Sequence, residues 1–434
     1  MPLSSLRPVL IIISLFWPAL DANEAANGTD REPSQEDAAD HPFVHSNFRA
    51  AAWIPDRNAL PVIRGILFLG NGAGSDSRHQ IHNQLLQEWG FQHGFVLVGM
   101  RAGNFCEDDR WQEFQPALKQ IIKQSGRPEL HNAPFLFWGH SNGGQQAYGM
   151  ARRFPERAIA FIVNKGRGQN KKAGVDPWQV PSLWIAGVRD RDVRRDNIRG
   201  LYHDGRANGA PWAWVEEYGQ GHGLGNSKPL AFAFFEEVLP LRYPHDPSNV
   251  PTATTAPHLT TLDQVTGWLV DSTPEEWSTG YLGIRPQAAF TGDPLTKGWV
   301  PTERVAILYR ATASYVTVRA LARNRRGKYI HITEPYQPTG HFNDRTAEAG
   351  RYSPGEPLPF GFQIEQRPEW TAIRIYDYDQ LIHTIEASTE TSHAVQLRLD
   401  PTRPSHAIHA EMELSNGERR TSLVVFARAR TTGP

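Results

Sequence analysis

The sequence predicts an α/β fold with a mostly parallel sheet flanked by helices, followed by an all-β, sandwich-like C-terminal domain. Between residues 46 and 240, short apolar runs alternate with helical patterns, which is typical of parallel strands joined by crossover helices. A Pro- and Thr-rich stretch at 241–260 predicts a linker. From 261 to 434 the runs are short and several alternate apolar with polar residues, which favours antiparallel strands. With 434 residues the chain is long enough for two domains.

The N-terminal end predicts a secretory signal at residues 1–22. Arg7 precedes an apolar run from Val9 to Leu20, and Ala22 is a plausible last residue before cleavage. The run is too short for a mature membrane-spanning helix. We therefore expect a secreted or periplasmic protein with no stable membrane insertion after cleavage. Residues 23–45 are polar and non-periodic, which predicts a disordered mature N-terminus.

The composition excludes several classes of partner. A net charge of −1 and a pI near 7.0 give no reason to expect binding to nucleic acid or to an anionic membrane. Cys106 is the only cysteine, so an intrachain disulfide is impossible. The sequence contains neither His-Glu-x-x-His nor Cys-x-x-Cys, and we expect no metal and no other cofactor.

The predicted elements of the first domain follow one another as strand and helix. Helical patterns cover residues 78–89, 111–124, 145–154 and 227–238. The predicted strands are 65–69, 94–99, 135–138, 158–163, 181–186 and 212–218.

One turn in this series carries chemistry. Residues 135–138 lead directly into Gly139-His-Ser-Asn-Gly143, and a helical pattern follows. In a Gly-x-Ser-x-Gly turn between a strand and a helix, the serine is lifted clear of the sheet in strained geometry, and its neighbours must be small. Ser141 is therefore a candidate nucleophile.

This turn in its context resembles the α/β-hydrolase superfamily, and in particular secreted serine esterases of the polyhydroxybutyrate depolymerase and feruloyl esterase type. The resemblance covers roughly residues 50–240 and implies an α/β-hydrolase fold with a serine, an acid and a histidine in that order. It implies that the acid follows a late strand, where Asp190 matches best and Asp192 is the runner-up. His222 lies after the last strand of this domain between glycines and would be the base.

The resemblance also implies an oxyanion hole. A glycine-rich loop, residues 70–76, follows the first predicted strand, and its spacing fits neither a dinucleotide-binding nor a P-loop pattern. In the hydrolase interpretation the N–H of Gly72 or Ala73 joins the N–H of Asn142 to stabilise an oxyanion. His140 would point away from the serine and serve packing.

A basic loop, residues 165–172, follows the strand at 158–163, at the sheet edge where ligands bind in open α/β folds. Arg167 is the candidate for contacting an acidic substrate, although charge runs are more often solvated loops.

The second domain carries no chemical motif. Trp277, Trp299 and Trp370 could stack on sugars if they are exposed, giving a possible carbohydrate contact, but tryptophans of this kind are more often core residues. The runs that predict strands are 268–270, 305–309, 315–318, 372–376, 394–399, 407–414 and 422–427.

These features together predict a secreted serine hydrolase that cleaves carboxylic esters, of small-molecule or polymeric substrates, through an acyl-enzyme. Two alternatives stay open. A peptidase or amidase could use the same triad and fold, and a non-catalytic carbohydrate- or surface-binding protein could keep the fold alone.

Overall fold

The structure is a computed structural model, which describes residues 43–46, 50–100, 107–167, 174–217, 220–225, 227–272, 282–313, 318–323, 329–331, 351–352, 358–364, 370–387, 392–403, 405–415, 417, 419–421 and 425–429. The predicted signal segment, nearly all of the predicted disordered terminus, Cys106 and Trp277 lie outside these residues.

An eight-stranded sheet forms the centre of the first half of the chain. The strands are β1 (Phe43–Ser46), β2 (Ala50–Trp53), β3 (Gly65–Gly70), β4 (Phe95–Met100), β5 (Phe135–His140), β6 (Ala158–Asn164), β7 (Ser182–Gly187) and β8 (Trp212–Glu217). Their spatial order in the sheet is β1-β2-β4-β3-β5-β6-β7-β8. β2 is antiparallel to both of its neighbours, and the six strands β3 to β8 pair in parallel. This order confirms the predicted α/β-hydrolase fold.

The first two strands do not follow from the sequence patterns. β1 begins at Phe43, inside the stretch that the sequence predicts as disordered to residue 45. β2 has the sequence Ala-Ala-Ala-Trp, whose small residues are not typical of a strand. Pairing with the fully buried β4 holds it in the sheet, so a tertiary contact overrides a weak local preference.

Five helices flank this sheet: α1 (Gln84–His93), α2 (Glu107–Ser125), α3 (Asn142–Arg153), α4 (Asp192–Ala207) and α5 (Ser227–Arg242). The helix predicted at 78–89 is divided in two. A short 3-10 turn occupies Arg78–His82, and Asn83 then caps α1 by accepting a hydrogen bond from the N–H of Leu86 at 3.2 Å. The sequence does not predict α4, because its surface is mostly charged and it buries few apolar side chains.

The parallel strands carry side chains that are buried on both faces, as expected for a sheet covered by helices. Register places His140 beside Asn164 and Asn164 beside Ile185. The carboxyl ends of β5, β6, β7 and β8 therefore share one edge of the sheet, and the segments that follow these strands meet there.

The segment after α5 lies against the same sheet. Arg242 donates from Nε to the carbonyl of Ala158 at 3.1 Å and accepts from the N–H of Thr260 at 2.8 Å through its own carbonyl. Asn132 donates to the carbonyl of Thr252 at 3.0 Å. Residues of the predicted linker thus hydrogen-bond to the helix and loops that flank the eight-stranded sheet. The domain limits remain a prediction from the sequence.

The next segment extends the first core. It contains a three-stranded sheet of β9 (Trp268–Val270), β10 (Ile284–Pro286) and β11 (Gly298–Val300), followed by helix α6 (Glu303–Ala313). The strand predicted at 305–309 is wrong, because these residues lie in α6. A short run of apolar residues cannot distinguish a buried strand from a helix that is buried on all sides, and α6 is of the second kind. Its residues share the hydrophobic core of the eight-stranded sheet.

The C-terminal residues form two further, mainly antiparallel sheets. Side chains from both, including Leu397, Ile373 and Met412, share a second small hydrophobic core, in keeping with the predicted β-rich domain. One sheet contains β12 (Val318–Arg323), β13 (Tyr329–His331), β15 (Leu358–Ile364) and β18 (Ser392–Leu397). The other contains β14 (Arg351–Tyr352), β16 (Trp370–Asp377), β17 (Gln380–Glu386), β19 (Ser405–Leu414), β20 (Arg419–Thr421) and β21 (Val425–Ala429).

Among the helices of the described residues, none is both long and apolar enough to cross a bilayer.

Candidate active site

Ser141 occupies a strained turn between β5 and α3. Its φ of 54° and ψ of −119° are unusual for a residue with a side chain. Glycines make the turn possible: a Cβ on Gly139 would lie 2.0 Å from the carbonyl oxygen of Gly143, and a Cβ on Gly143 would lie 2.2 Å from the carbonyl carbon of Gly70. The backbone of this turn, residues 139–143 (the elbow), is thus packed against β3, so the residues that flank Ser141 must be small.

The side chains of Ser141, His222 and Asp190 form a continuous hydrogen-bonded chain. Ser141 Oγ lies 2.8 Å from His222 Nε2, and His222 Nδ1 lies 2.7 Å from Asp190 Oδ2. With Nδ1–H donating to the carboxylate, Nε2 of the neutral imidazole is left to accept the hydroxyl proton of Ser141. Residues that are 32 and 81 positions from His222 in the chain therefore meet at one edge of the sheet.

The structure distinguishes the two candidate acids by position. Asp192 is the first residue of α4, 86% of its side chain is exposed, and it pairs with Arg195. The Asp190 side chain is 2% exposed. Burial alone would raise its pKa, but hydrogen bonds from His222, from the N–H of Arg191 and from Arg194 outweigh burial and hold that pKa below its ordinary value. Asp190 is consequently an ionised acceptor at neutral pH.

His140 also contacts the segment that carries His222, Gln220–Gly225 (the histidine segment), so the interpretation of His140 as packing alone is wrong. Its Nε2 lies 2.7 Å from the backbone carbonyl oxygen of His222, to which only a protonated nitrogen can donate. Burial is the main reason that its pKa falls from 6.5 to about 4, so the ring is neutral at pH 7. The motif places His140 beside Ser141 in the sequence, but its contact with residue 222 depends on the fold.

Further contacts fix the segment Gln220–Gly225. Asn164, the last residue of β6, donates to the carbonyl of Leu224 at 3.1 Å. The N–H of Arg189 donates to the carbonyl of Gln220 at 2.8 Å. Gly187 is required beside it, because a Cβ there would lie 2.1 Å from the carbonyl oxygen of Gly221.

The glycine-rich loop lies beside Ser141. A Cβ on Gly72 would sit 3.7 Å from the Cβ of Ser141 and 4.0 Å from its Oγ. The Gly72 carbonyl accepts hydrogen bonds from both the N–H and the Oγ of Ser75, which closes the loop into a tight turn that contains Ala73. Asn142 is the first residue of α3, at the end of the helix where backbone N–H groups point outward. Gly72 and Asn142 are thus adjacent to Ser141, and Ala73 follows Gly72 in the turn.

Arg167 directly follows a residue that packs against the elbow. It follows Gly166, where a Cβ would be 2.8 Å from the carbonyl oxygen of Ser141. The side chain is half-buried, and its Nε is buried without a hydrogen-bond partner among the described residues.

Two of the tryptophans considered for sugar stacking are buried. Trp299 is 0% exposed and donates from Nε1 to the carbonyl of Gln264, and Trp370 is 9% exposed. The possibility that these two are exposed platforms is therefore wrong. In the described part of the chain, no group of three or more His, Cys, Asp and Glu side chains is arranged to hold a metal ion.

Comparisons with known proteins were made by sequence and by structure. No protein-family model and no curated protein matches the chain. Among solved structures, the esterase PE8 is 18% identical, covers 45% of this chain and 99% of its own length, and has a TM-score of 0.34. The acetyl xylan esterase from Aspergillus awamori is 14% identical over 45% of this chain and 98% of its own, with a TM-score of 0.34. The S-formylglutathione hydrolase FrmB from Staphylococcus aureus is 13% identical over 42% and 89%, with a TM-score of 0.30. Each is named as an esterase or hydrolase.

Proposed function

We propose that this protein is a serine hydrolase that cleaves carboxylic esters through an acyl-enzyme. The observation that carries the proposal is the hydrogen-bonded chain from Ser141 Oγ through the His222 imidazole to the Asp190 carboxylate, with distances of 2.8 and 2.7 Å. A strained serine, a neutral acceptor nitrogen and a buried carboxylate in this order can generate a nucleophile at neutral pH.

Acylation follows from this geometry. His222 Nε2 takes the proton of Ser141 as Oγ attacks the ester carbonyl carbon. Asp190 holds the imidazole in the Nδ1–H tautomer and stabilises its charged form. The resulting oxyanion accepts hydrogen bonds from the N–H of Asn142 and from that of Gly72 or Ala73. The imidazolium then gives its proton to the leaving alkoxide, and the alcohol departs.

Deacylation repeats these steps with water. His222 removes a proton from a water molecule, which attacks the acyl carbon of the ester on Ser141. Collapse of the second tetrahedral intermediate breaks the bond to Oγ, and His222 returns the proton to Ser141. The products are the free acid and the regenerated serine.

A fluorophosphonate probe and short p-nitrophenyl esters test the proposal. Wild type should react with both, whereas Ser141→Ala should lose labelling and turnover, and His222→Ala should lose at least about 10³-fold in kcat. The absence of labelling in wild type would exclude an activated serine. Equal turnover by Ser141→Ala would mean that another group carries the chemistry, and ligand binding without turnover would favour a binding protein.

The acid assignment has a matched control two residues away. Asp190→Asn should lower kcat by about 10³–10⁴-fold, because the amide stabilises the wrong imidazole tautomer. Asp192→Asn should leave kcat within about twofold, because its carboxylate is 86% exposed and pairs with Arg195 rather than with His222. Comparable losses in both variants would contradict the assignment of Asp190. Parallel assays with matched amide and peptide substrates distinguish an esterase from an amidase.

We further propose that Arg167 binds an anionic group of the substrate. The Arg167 guanidinium follows Gly166 at the elbow and has a buried Nε without an acceptor among the described residues, so it would gain a charge-assisted hydrogen bond from a ligand. Arg167→Leu should raise KM for carboxylate-bearing esters by about 10–100-fold and leave neutral esters unchanged. Arg189→Leu, an exposed arginine at the same edge, is the control. Equal effects on charged and neutral esters would contradict this role.

We also propose that the chain is exported and that the signal at residues 1–22 is removed. N-terminal sequencing of the protein from the culture fluid or periplasm should find a start near Asn23. An intact N-terminus in a membrane fraction would instead indicate an anchor.

A further inference from the structure

A buried ion pair lies beneath the segment that carries His222. Lys165 Nζ is 2.6 Å from Glu217 Oε2, and the two side chains are 0% and 1% exposed. Lys165 follows the end of β6, and Glu217 is the last residue of β8. Because β7 lies between these strands, the pair bridges across the carboxyl end of β7 at the same edge as the nucleophile.

Stability alone does not account for this pair. Removing two charges from water is costly, and apolar residues of similar volume are often at least as stabilising. Lys165 also has a φ of 53°, in the left-handed region that side chains disfavour. Its N–H is nonetheless held by the carbonyl of Ile185 on β7 at 2.6 Å. Strain of this kind at a sheet edge is a reason to look for a functional contact.

The contact is with the histidine segment. Lys165 Nζ lies 3.3 Å from the carbonyl oxygen of Leu224, two residues after His222. Glu217 lies directly under Gly225, where a Cβ would be 2.2 Å from Glu217 Oε2. The segment turns at Gly225, which has a φ of 63°, so it rests on both members of the pair.

We propose that Lys165 and Glu217 are positioning residues, which hold Gln220–Gly225 so that His222 Nε2 faces Ser141 Oγ. The Lys165 ammonium binds the Leu224 carbonyl, and the Glu217 carboxylate fixes that ammonium and supports Gly225. Neither residue contacts the reacting atoms. This role rests on the proposed function, since it concerns the placement of the base in that mechanism.

Replacement of the whole pair separates positioning from stability. Lys165→Met alone leaves a buried carboxylate without its cation and should lower both Tm and kcat. The double variant Lys165→Met/Glu217→Leu should recover most of the lost Tm, because it leaves no unpaired buried charge. The kcat of the double variant should stay about 10–100-fold below wild type with KM within about twofold. A small displacement of the His222 ring slows proton removal from Ser141 but does not change substrate binding.

The matched control is Arg310→Met/Glu411→Leu. Arg310 on α6 and Glu411 on β19 form another buried ion pair, with side chains 7% and 5% exposed. Its removal should leave kcat within about twofold. Glu217→Gln keeps the shape of the side chain and serves as a second variant if the double variant folds poorly; its kcat should fall by about 3–10-fold.

Amide hydrogen exchange gives a readout that does not depend on turnover. Exchange in Gln220–Gly225 should be faster in the Lys165/Glu217 double variant than in wild type, and unchanged in the control. If wild type is not labelled by the fluorophosphonate, the proposed function fails, and the exchange experiment still tests the positioning. A stable double variant with wild-type kcat and wild-type exchange would overturn this inference, as would an equal loss of kcat in the control.

Discussion

At the scale of single residues, the site depends on glycines as much as on the reactive side chains. Gly143 lies under the elbow, and its Cα hydrogens face the backbone of β3 and of the residue that follows it. A Cβ there would lie 2.2 Å from the carbonyl carbon of Gly70 and 2.5 Å from the backbone nitrogen of Asn71. The nearest atoms belong to the backbone and not to a flexible side chain, so none of them can move away easily.

Gly143→Ala should therefore destabilise the protein by about 3 kcal/mol and lower the rate of fluorophosphonate labelling, because the elbow must move away from β3. Gly200→Ala is the control, since this glycine lies in α4 with open space around its Cα. That change should stabilise the protein by up to about 1 kcal/mol through helix propensity. Urea unfolding measures both. An equal effect of the two substitutions would refute the steric argument.

At the scale of elements, a single side chain ties α4 to the segment after the predicted linker. Arg206 is 1% exposed and donates from Nε to the carbonyl of Lys297 at 2.8 Å and from Nη2 to that of Pro294 at 2.7 Å. Its Nη1 donates to the carbonyl of Ala210, just before β8. The turn that precedes β11 is thereby fixed to the framework of the hydrolase sheet.

Arg206→Met should lower the free energy of unfolding by about 3 kcal/mol, because one buried and two partly buried carbonyls lose a charged donor. Arg199→Met, on the same helix, removes an exposed arginine whose partner Asp196 is also exposed. Arg199 also lies 5.9 Å from the centre of the Trp214 ring, near the limit of a cation–π contact, so this control should change stability by less than about 1 kcal/mol. Urea unfolding again provides the measurement, and a loss below about 1 kcal/mol for Arg206→Met would mean that water replaces these contacts.

At the scale of the whole molecule, buried histidines set a dependence of stability on pH. Burial is the main cause that lowers the pKa of His93 and His140 to about 4 and that of His409 to about 3. An unfolded histidine titrates near 6.5. Between about pH 6.5 and 4 the unfolded chain therefore binds more protons than the folded one, and stability falls as the pH falls.

His409→Leu should reduce this loss. Each neutral buried histidine contributes up to about 1.4 kcal/mol per pH unit in that window. Between pH 7.5 and 5, the variant should lose about 1–2 kcal/mol less unfolding free energy than wild type. His131→Leu, at an exposed position, should behave as wild type. Identical pH profiles for His409→Leu and wild type would show that His409 is not neutral and buried in solution.

The sequence alone determined the six parallel strands β3 to β8 and the Gly-x-Ser-x-Gly turn that follows β5. Runs such as Gly65–Leu69 and Ala158–Val163 are apolar throughout because both faces of a parallel sheet are covered. Such a run can be recognised in the sequence without knowing which strands pair with it. Gly139 and Gly143 predict the elbow because the turn has no room for a Cβ at these two positions, and this local requirement fixes their spacing in the sequence.

Only the tertiary structure decided contacts between distant positions. The spacing favours Asp190 without excluding Asp192, and the choice between them depends on which one the fold buries against His222. The Lys165–Glu217 pair joins residues 52 positions apart, so no local pattern marks it. The sequence predicts a strand where α6 lies, because a short apolar run is compatible with either a buried strand or a buried helix. Packing against the surrounding core decides in favour of the helix. Local sterics and periodicity are readable from sequence, whereas burial and charge pairing are properties of the assembled chain.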